Sequence, residues 1–212
     1  MDVEQRDRWD RAYRDEREWA DQSVPSLLAR EVATRLAASA RVLELGCGNG
    51  RDSAFFARPG HRVSALDFSE VAIARNRARL VGQDRLTWLV ADLAQPLPFV
   101  EGRFDLVYAR LSLHYFPDAT TRRLVAEIGR VLRPGGLLGF LCKSERDPLY
   151  GQGDLVEPDM FVFRGHLRHF FREDYARDCL ASDFVAESIE SVADDPDQPG
   201  SAFVKAIARK AR

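Results

Sequence analysis

Short apolar runs separated by polar stretches of helical period set the layout of this chain. Val42-Leu-Glu-Leu45 predicts a strand over 41–45, and Val63 to Leu66 predicts a second over 62–66. Further strands are expected at 86–90 (Leu-Thr-Trp-Leu-Val), 104–109 and 137–142. Helical spacing falls between them, over about 51–57, from an N-cap at Ser69 to about Leu80, and over 119–132, where Leu124, Ile128 and Val131 form a stripe. Arg133-Pro-Gly-Gly136 ends that last helix as a type II turn. Strand alternating with helix for five strands implies a parallel sheet with helices on both faces. Upstream, 3–20 reads as a charged helix in which Trp9 and Tyr13 share a face, with Trp19 further along. Pro25 opens another helix through Ala38, striped by Leu27, Leu28, Val32 and Leu36. Downstream, a short helix at 173–181 precedes strands at 184–192 and 201–208, an antiparallel hairpin around the turn-rich 194–200. The stretch 143–171, mixed and rich in proline and glycine, is long for a plain connection and reads as an insertion.

The 212 residues suit one domain over 1–212. A formal net charge of -2 with interleaved signs disfavours a general nucleic-acid binder, so no nucleic-acid partner is expected. The first residues are charged and no apolar run reaches membrane-spanning length, so no membrane association and a cytoplasmic location are expected. Cys47, Cys142 and Cys179 are odd in number and scattered, which suits reduced structural thiols and no metal site. Monomer and homodimer both stay open.

The chemistry concentrates where the first strand runs into Gly46-Cys-Gly-Asn-Gly50. Glycines there let a ligand approach the backbone where a Cβ would collide. Asp67, at the tip of the second strand about 20 residues beyond the first glycine, is placed to accept ribose hydroxyls. A dinucleotide site wants G-x-G-x-x-G. The spacing here is G-x-G-x-G, with Glu44 two residues before it. A carboxylate at that point repels a pyrophosphate and suits a ligand carrying an ammonium and a sulfonium.

Glu44-x-Gly46-x-Gly48-x-Gly50 resembles the first motif of class I S-adenosylmethionine-dependent methyltransferases. The resemblance spans roughly 40–142. It implies a Rossmann-like α/β methyltransferase fold, with a seven-stranded mostly parallel sheet ordered 3-2-1-4-5-7-6, strand seven antiparallel, and helices on both faces. It also implies S-adenosylmethionine as cofactor, held by Glu44, Gly46, Cys47 (through its backbone), Gly48, Asn49, Gly50 and Asp52. Asp67 would take the ribose, Phe68 would cover an adenine face, and Asp92 with Leu93 would meet the adenine edge. Arg110 would approach the methionine carboxylate. Within that group, Gly48-Asn-Gly-Arg-Asp-Ser-Ala-Phe-Phe-Ala57 is similar to the thiopurine and tellurite-resistance methyltransferases. Trp9-Asp-Arg-Ala-Tyr13 resembles their opening, which implies that 1–20 forms a helix over the cofactor with Tyr13 against it. Residues 143–171 do not match their substrate regions.

Methyl transfer from a sulfonium is a direct displacement, in which alignment alone can account for roughly 7–11 kcal/mol in favourable cases. A hydroxyl or ammonium acceptor needs a base, whereas a soft thiol needs none. His114 and Tyr115, just after the fourth strand, are the candidates for substrate contact or base. In the 143–171 insertion Tyr150, His166, Arg168 and His169 are the candidate substrate contacts; on a helix the two histidines would share one face. Mixed aromatics and charges there suit a small polar metabolite. Competing readings are a SAM-dependent cyclase or lyase and a non-methylating SAM-binding protein. An RNA or protein methyltransferase would show a basic rim or an Asn/Asp-Pro-Pro-Tyr motif, and Ala109-Arg-Leu-Ser has neither. The glycine spacing disfavours an NAD-dependent oxidoreductase.

Overall fold

The structure, a computed structural model, describes residues 3–15, 24–193, 195–196 and 198–212. Along the chain run α1 (Val3–Arg14), α2 (Leu27–Ala33), β1 (Arg41–Leu45), α3 (Arg51–Ala57), β2 (Arg62–Asp67), α4 (Glu70–Arg79), β3 (Leu86–Val90) and β4 (Phe104–Arg110). A single 3-10 turn (Leu113–Tyr115) leads into α5 (Asp118–Val131) and β5 (Leu132–Lys143). Then follow β6 (Asp154–Glu157), β7 (Met160–Phe163), β8 (His166–His169), α6 (Glu173–Leu180), β9 (Phe184–Ala193) and β10 (Ala202–Lys210). Trp19 and the predicted helical residues 16–20 lie outside the described residues, as do Asp194 and Asp197 of the final turn.

Seven strands form one sheet in the order β3-β2-β1-β4-β5-β10-β9. The first five are mutually parallel, and β10 runs antiparallel to both β5 and β9. This is the expected arrangement. Period-2 alternation sends each strand's side chains into two cores. On one face Val42, Leu106, Tyr108, Leu141 and Ile207 pack with Leu28 and Val32 of α2 and Phe56 of α3. On the other, Leu43, Leu45, Val107, Phe140 and Ala206 pack with Leu124, Ile128 and Val131 of α5 and Leu180 of α6. Burial on both sides explains why β1 and β4 read as continuous apolar runs.

Three local predictions need correction. The helix expected to reach Ala38 stops at Ala33, where Arg35 and Leu36 donate to carbonyls three residues back and the Thr34 hydroxyl bonds the Glu31 carbonyl. Strand β5 begins before Leu137: Leu132 already pairs with Phe104, the pairing resumes at Leu106 with Leu137, and residues 133–136 bulge out between them. The expected Pro-Gly turn is therefore inside the strand, with Gly135 at φ +71°. Residues 143–171 also hold a second, three-stranded antiparallel sheet, β6-β7-β8. Its β7–β8 turn is Arg164-Gly165, both at positive φ (51° and 74°), a two-residue hairpin lacking the usual Asn-Gly signature. His166 and His169 therefore sit on a strand, where a spacing of three sends them to opposite faces. Among the described residues no helix is long and apolar enough to cross a membrane.

Candidate functional site

Parallel strands β1, β2 and β4 end side by side, so Leu45 stands next to Leu66 and Glu44 next to Tyr108. Everything just beyond these ends faces one cleft. Gly46 and Cys47 both donate their amides to the Leu66 carbonyl, which tightens the chain as it leaves β1. Gly46 has φ +73°, and a Cβ there would come within 2.6 Å of the Ser112 Cβ. Gly48 has φ +49°, and its Cβ would lie 2.8 Å from the Tyr13 hydroxyl. Conformation restricts both positions to glycine, and at Gly46 the fixed Ser112 Cβ does so as well.

Asp67 is buried at the tip of β2, its two oxygens accepting the Gly48 and Ser69 amides at 2.9 Å each. Burial pushes its carboxyl up to about 6, while those two amide bonds pull against the rise and Asp10 adds to it. Ser69 meanwhile caps α4 through the Ala72 amide and donates to Asp10 of α1 at 2.5 Å. Glu44 is also buried, with its carboxyl well above the ordinary range, first through burial and next through Asp52 nearby; the Ser53 hydroxyl, which donates to it, pulls the other way.

Helix α1 lies across the cleft. Arg75 of α4 donates to the Tyr13 carbonyl at 2.9 Å, and Arg8 donates to the Arg164 carbonyl at 2.8 Å. Trp9 stacks on Tyr13 (5.7 Å between centroids) and meets Tyr115 and His166 edge-on. Beneath α1 lie two adjoining cavities that share Trp9, Tyr13, Gly46, Leu111 and Tyr115. The larger, about 490 Å³, is lined by Glu44, the glycine turn, Arg110, His114, Lys143 and Arg168 among others. The smaller, about 60 Å³, is bounded by Asp67, Phe68, Leu93, Ser112 and Phe116.

The structure thus brings together Tyr13, Glu44, Gly46, Cys47, Gly48, Asn49, Asp52, Arg110, His114, Tyr115 and Arg168 around the larger cavity, and Asp67, Phe68 and Leu93 around the smaller. Others stand apart. Asp52 borders the cavity, but its carboxylate is committed to the fold. One oxygen accepts the Ser26 amide, and the other accepts the Ser26 and Tyr108 hydroxyls, which joins α3 to α2 and β4. Gly50 starts α3 in the left-handed region and lines neither cavity. Asp92 turns back to accept the Ala94 amide and lies in neither lining. Tyr150 points elsewhere, its hydroxyl held by Asp159 at 2.6 Å and by Arg172. His169 is buried against Phe171 and Tyr175, while His166 sits beyond Trp9.

His114 is almost fully buried, and its Nδ1 accepts the Lys143 amide at 3.3 Å. Burial, followed by the positive charges of Arg168 and Lys143, holds its pKa well below the usual value. The ring is therefore neutral, and with Nδ1 accepting, its proton resides on Nε2. Two further residues of the lining were not singled out as site residues from the sequence, although both lie in segments expected to border the site. Lys143 enters the lining from the end of β5, its Nζ tied to Asp147 at 2.7 Å and Ser201 at 2.6 Å. Leu111 borders both cavities at φ +56°, a strained value for a leucine that the packed rim must hold in place. Its position directly after an apolar strand was the one available signal. Among the described residues the cysteines are free thiols, and no group of three or more metal-ligating side chains forms.

Residues 42–136 match the family described as a methyltransferase domain. The demethylmenaquinone methyltransferase of Clavibacter sepedonicus is 38% identical over 112 residues, covering 53% of this chain and 44% of that protein. The chain spans about half the length of the curated relatives it matches. Among solved structures, a Burkholderia thailandensis 1,6-didemethyltoxoflavin-N1-methyltransferase with bound 1,6-didemethyltoxoflavin and S-adenosylhomocysteine superposes with a TM-score of 0.79 at 25% identity, covering 99% of this chain and 88% of that one. The [4+2]-cyclase SpnF shares the fold, with a TM-score of 0.70 at 23% identity, covering 90% and 85%. The fold is thus the Rossmann-like methyltransferase fold.

Proposed function

We propose that this chain is an S-adenosylmethionine-dependent methyltransferase acting on a small molecule, with Asp67 as the ribose acceptor and Glu44 facing the ammonium end. The observation that carries the reading is the buried pair of carboxylates at the tips of β1 and β2, set about the glycine turn and bordering adjoining cavities. Acidic groups there disfavour a phosphate-bearing nucleotide, and the left-handed glycines leave the backbone open to an adenosyl ligand. The smaller cavity, with Phe68 and Leu93, suits the adenine side. The larger suits the methionine end and the acceptor together, its volume falling within the roughly 300–1,000 Å³ of small-molecule sites.

When bound, the cofactor supplies an electrophilic methyl group on a positively charged sulfur. The chain's own contribution is positioning and exclusion of water. Helix α1 covers both cavities with Trp9 and Tyr13, and we read it as a lid closing over the cofactor. Residues 143–171 border the acceptor side through Lys143, Leu149 and Arg168. The likeness to thiopurine and tellurite-resistance enzymes bears on the glycine turn and α1, not on the acceptor.

Calorimetry with S-adenosylmethionine and with NAD tests the cofactor assignment, binding being expected for the first alone. Incubation with a metabolite extract then distinguishes reactions. S-adenosylhomocysteine is the expected product; methylthioadenosine would indicate cyclisation, and an intact cofactor a binding protein.

A further inference from the structure

We infer that the methyl acceptor is an anion that enters already ionised, held by Arg168, Tyr115 and His114, and that none of the described side chains around it acts as general base. This rests on the methyltransferase reading above. Four cationic side chains border the larger cavity, and three are neutralised. Lys143 bonds Asp147, Arg110 pairs with Asp195 at 3.2 Å, and Arg51 lies 3.3 Å from Asp52. Arg168, on β8, has no carboxylate within 4.0 Å among the described residues. Its positive charge acts instead on Tyr115, opposing the rise that burial imposes on that hydroxyl. A guanidinium in a half-enclosed wall, facing neutral groups, calls for an anion, which it can bind through two parallel hydrogen bonds.

Its neighbours point the same way. Tyr115 borders the same wall, and burial holds its pKa above the ordinary phenol value, so its hydroxyl keeps a proton to donate. His114 presents Nε2–H, because Nδ1 is occupied by the Lys143 amide. Three donors therefore border one part of the cavity, and none can take a proton there. The described carboxylates of the lining have other roles, Glu44 at the cofactor's ammonium end and bonded to Ser53, Asp52 bonded to Ser26 and Tyr108. A lone pair on the acceptor's anionic atom forms the bond to the methyl carbon, the carbon–sulfur bond breaks, and its electron pair stays on sulfur as a neutral thioether. The sulfonium and acceptor charges cancel, and no proton needs removal. The acceptor class is a carboxylate, a thiolate or an acidic ring N–H or O–H already ionised at neutral pH.

The test measures binding as well as turnover. With S-adenosylhomocysteine saturating the protein, tryptophan emission, in which Trp9 reports on the cavity, is followed while benzoate, succinate and urate are titrated against benzamide, succinamide and caffeine. The expected result is at least one anion bound about tenfold or more tightly than its neutral partner, with that preference reduced about 10- to 100-fold in Arg168→Met, the range of a charged hydrogen bond. Arg168→Lys, which keeps the charge, substitutes where Arg168→Met lowers the melting temperature and is expected to retain part of the preference. His114→Gln, which keeps a donor but offers no base, is expected to lower turnover of any acceptor found by about tenfold or less; loss of about 100-fold or more would identify a base and overturn the inference. No preference for any anion, in protein that binds S-adenosylhomocysteine, overturns this inference and leaves the methyltransferase reading standing. Failure to bind S-adenosylhomocysteine overturns the reading beneath it.

Discussion

Replacing Asp67 by alanine separates the proposed binding role of this carboxylate from its role in the fold. Asp67 is 4% exposed, and burial pushes its carboxyl from the ordinary 3.8 up to about 6. At about 1.4 kcal/mol per unit, keeping it ionised at neutral pH costs the folded state about 3 kcal/mol. The substitution removes that cost but leaves the Gly48 and Ser69 amides without an acceptor, at about 1–3 kcal/mol each. The two effects nearly cancel, so at pH 7.5 the melting temperature should move by only a few degrees. The sign changes with pH. A raised folded pKa means that wild-type Asp67 contributes stability that is fully present below 3.8 and lost as pH rises through about 6. The alanine variant should therefore fall progressively below wild type in melts between pH 7 and pH 4. Binding has no such compensation. Two charge-assisted hydrogen bonds to ribose, at about 1.5–3 kcal/mol each, predict a loss of at least about 100-fold in affinity for S-adenosylhomocysteine by calorimetry. An Asp67→Ala protein that binds within threefold of wild type would refute the ribose assignment.

Four further outcomes follow from the same geometry. Wild-type affinity for S-adenosylhomocysteine should rise by up to about tenfold per pH unit below about 6 and level off above it, and the inflection should vanish in Asp67→Ala, as titration at fixed ionic strength will show. Tyr108→Phe removes a 2.7 Å bond to buried Asp52 and should cost about 1–2 kcal/mol in denaturant melts without changing cofactor affinity. Lys143→Met leaves Asp147 buried without its cation and should destabilise by about 3–5 kcal/mol, seen as a melting temperature about 10 °C lower. Trp9→Ala uncovers both cavities and should weaken S-adenosylhomocysteine binding about tenfold while the melting temperature of the free protein changes little, because the ring's contacts are a few aromatic pairs over the cleft.

The strands were legible because burial on both faces leaves an unmistakable apolar run, as in Val42 to Leu45 and Leu106 to Ala109, whereas their order came only from the resemblance to a known family. The residues proposed for the cofactor end were legible for a related reason: Gly46 and Gly48 are required by local backbone conformation and close approach, and Asp67 stands at a strand tip. The acceptor end was not. Tyr150 and His169 read as site residues from composition alone, yet the β6-β7-β8 sheet turns them into its own packing and ion-pair network. Its turn at Arg164-Gly165 carries no strong hairpin signal, so neither the strands nor the alternation that separates His166 from His169 could be anticipated.

Local requirements of the backbone and the period of burial were therefore written in the chain itself: a parallel sheet, a glycine turn and a carboxylate beside it. Which charges are satisfied was decided only by packing between distant segments. Lys143 found Asp147, Arg110 found Asp195, and the Lys143 amide set the tautomer of His114, while Arg168 was left facing the cavity. Neutralisation and tautomer depend on ångström distances between groups far apart in sequence, and residue spacing holds no record of those distances.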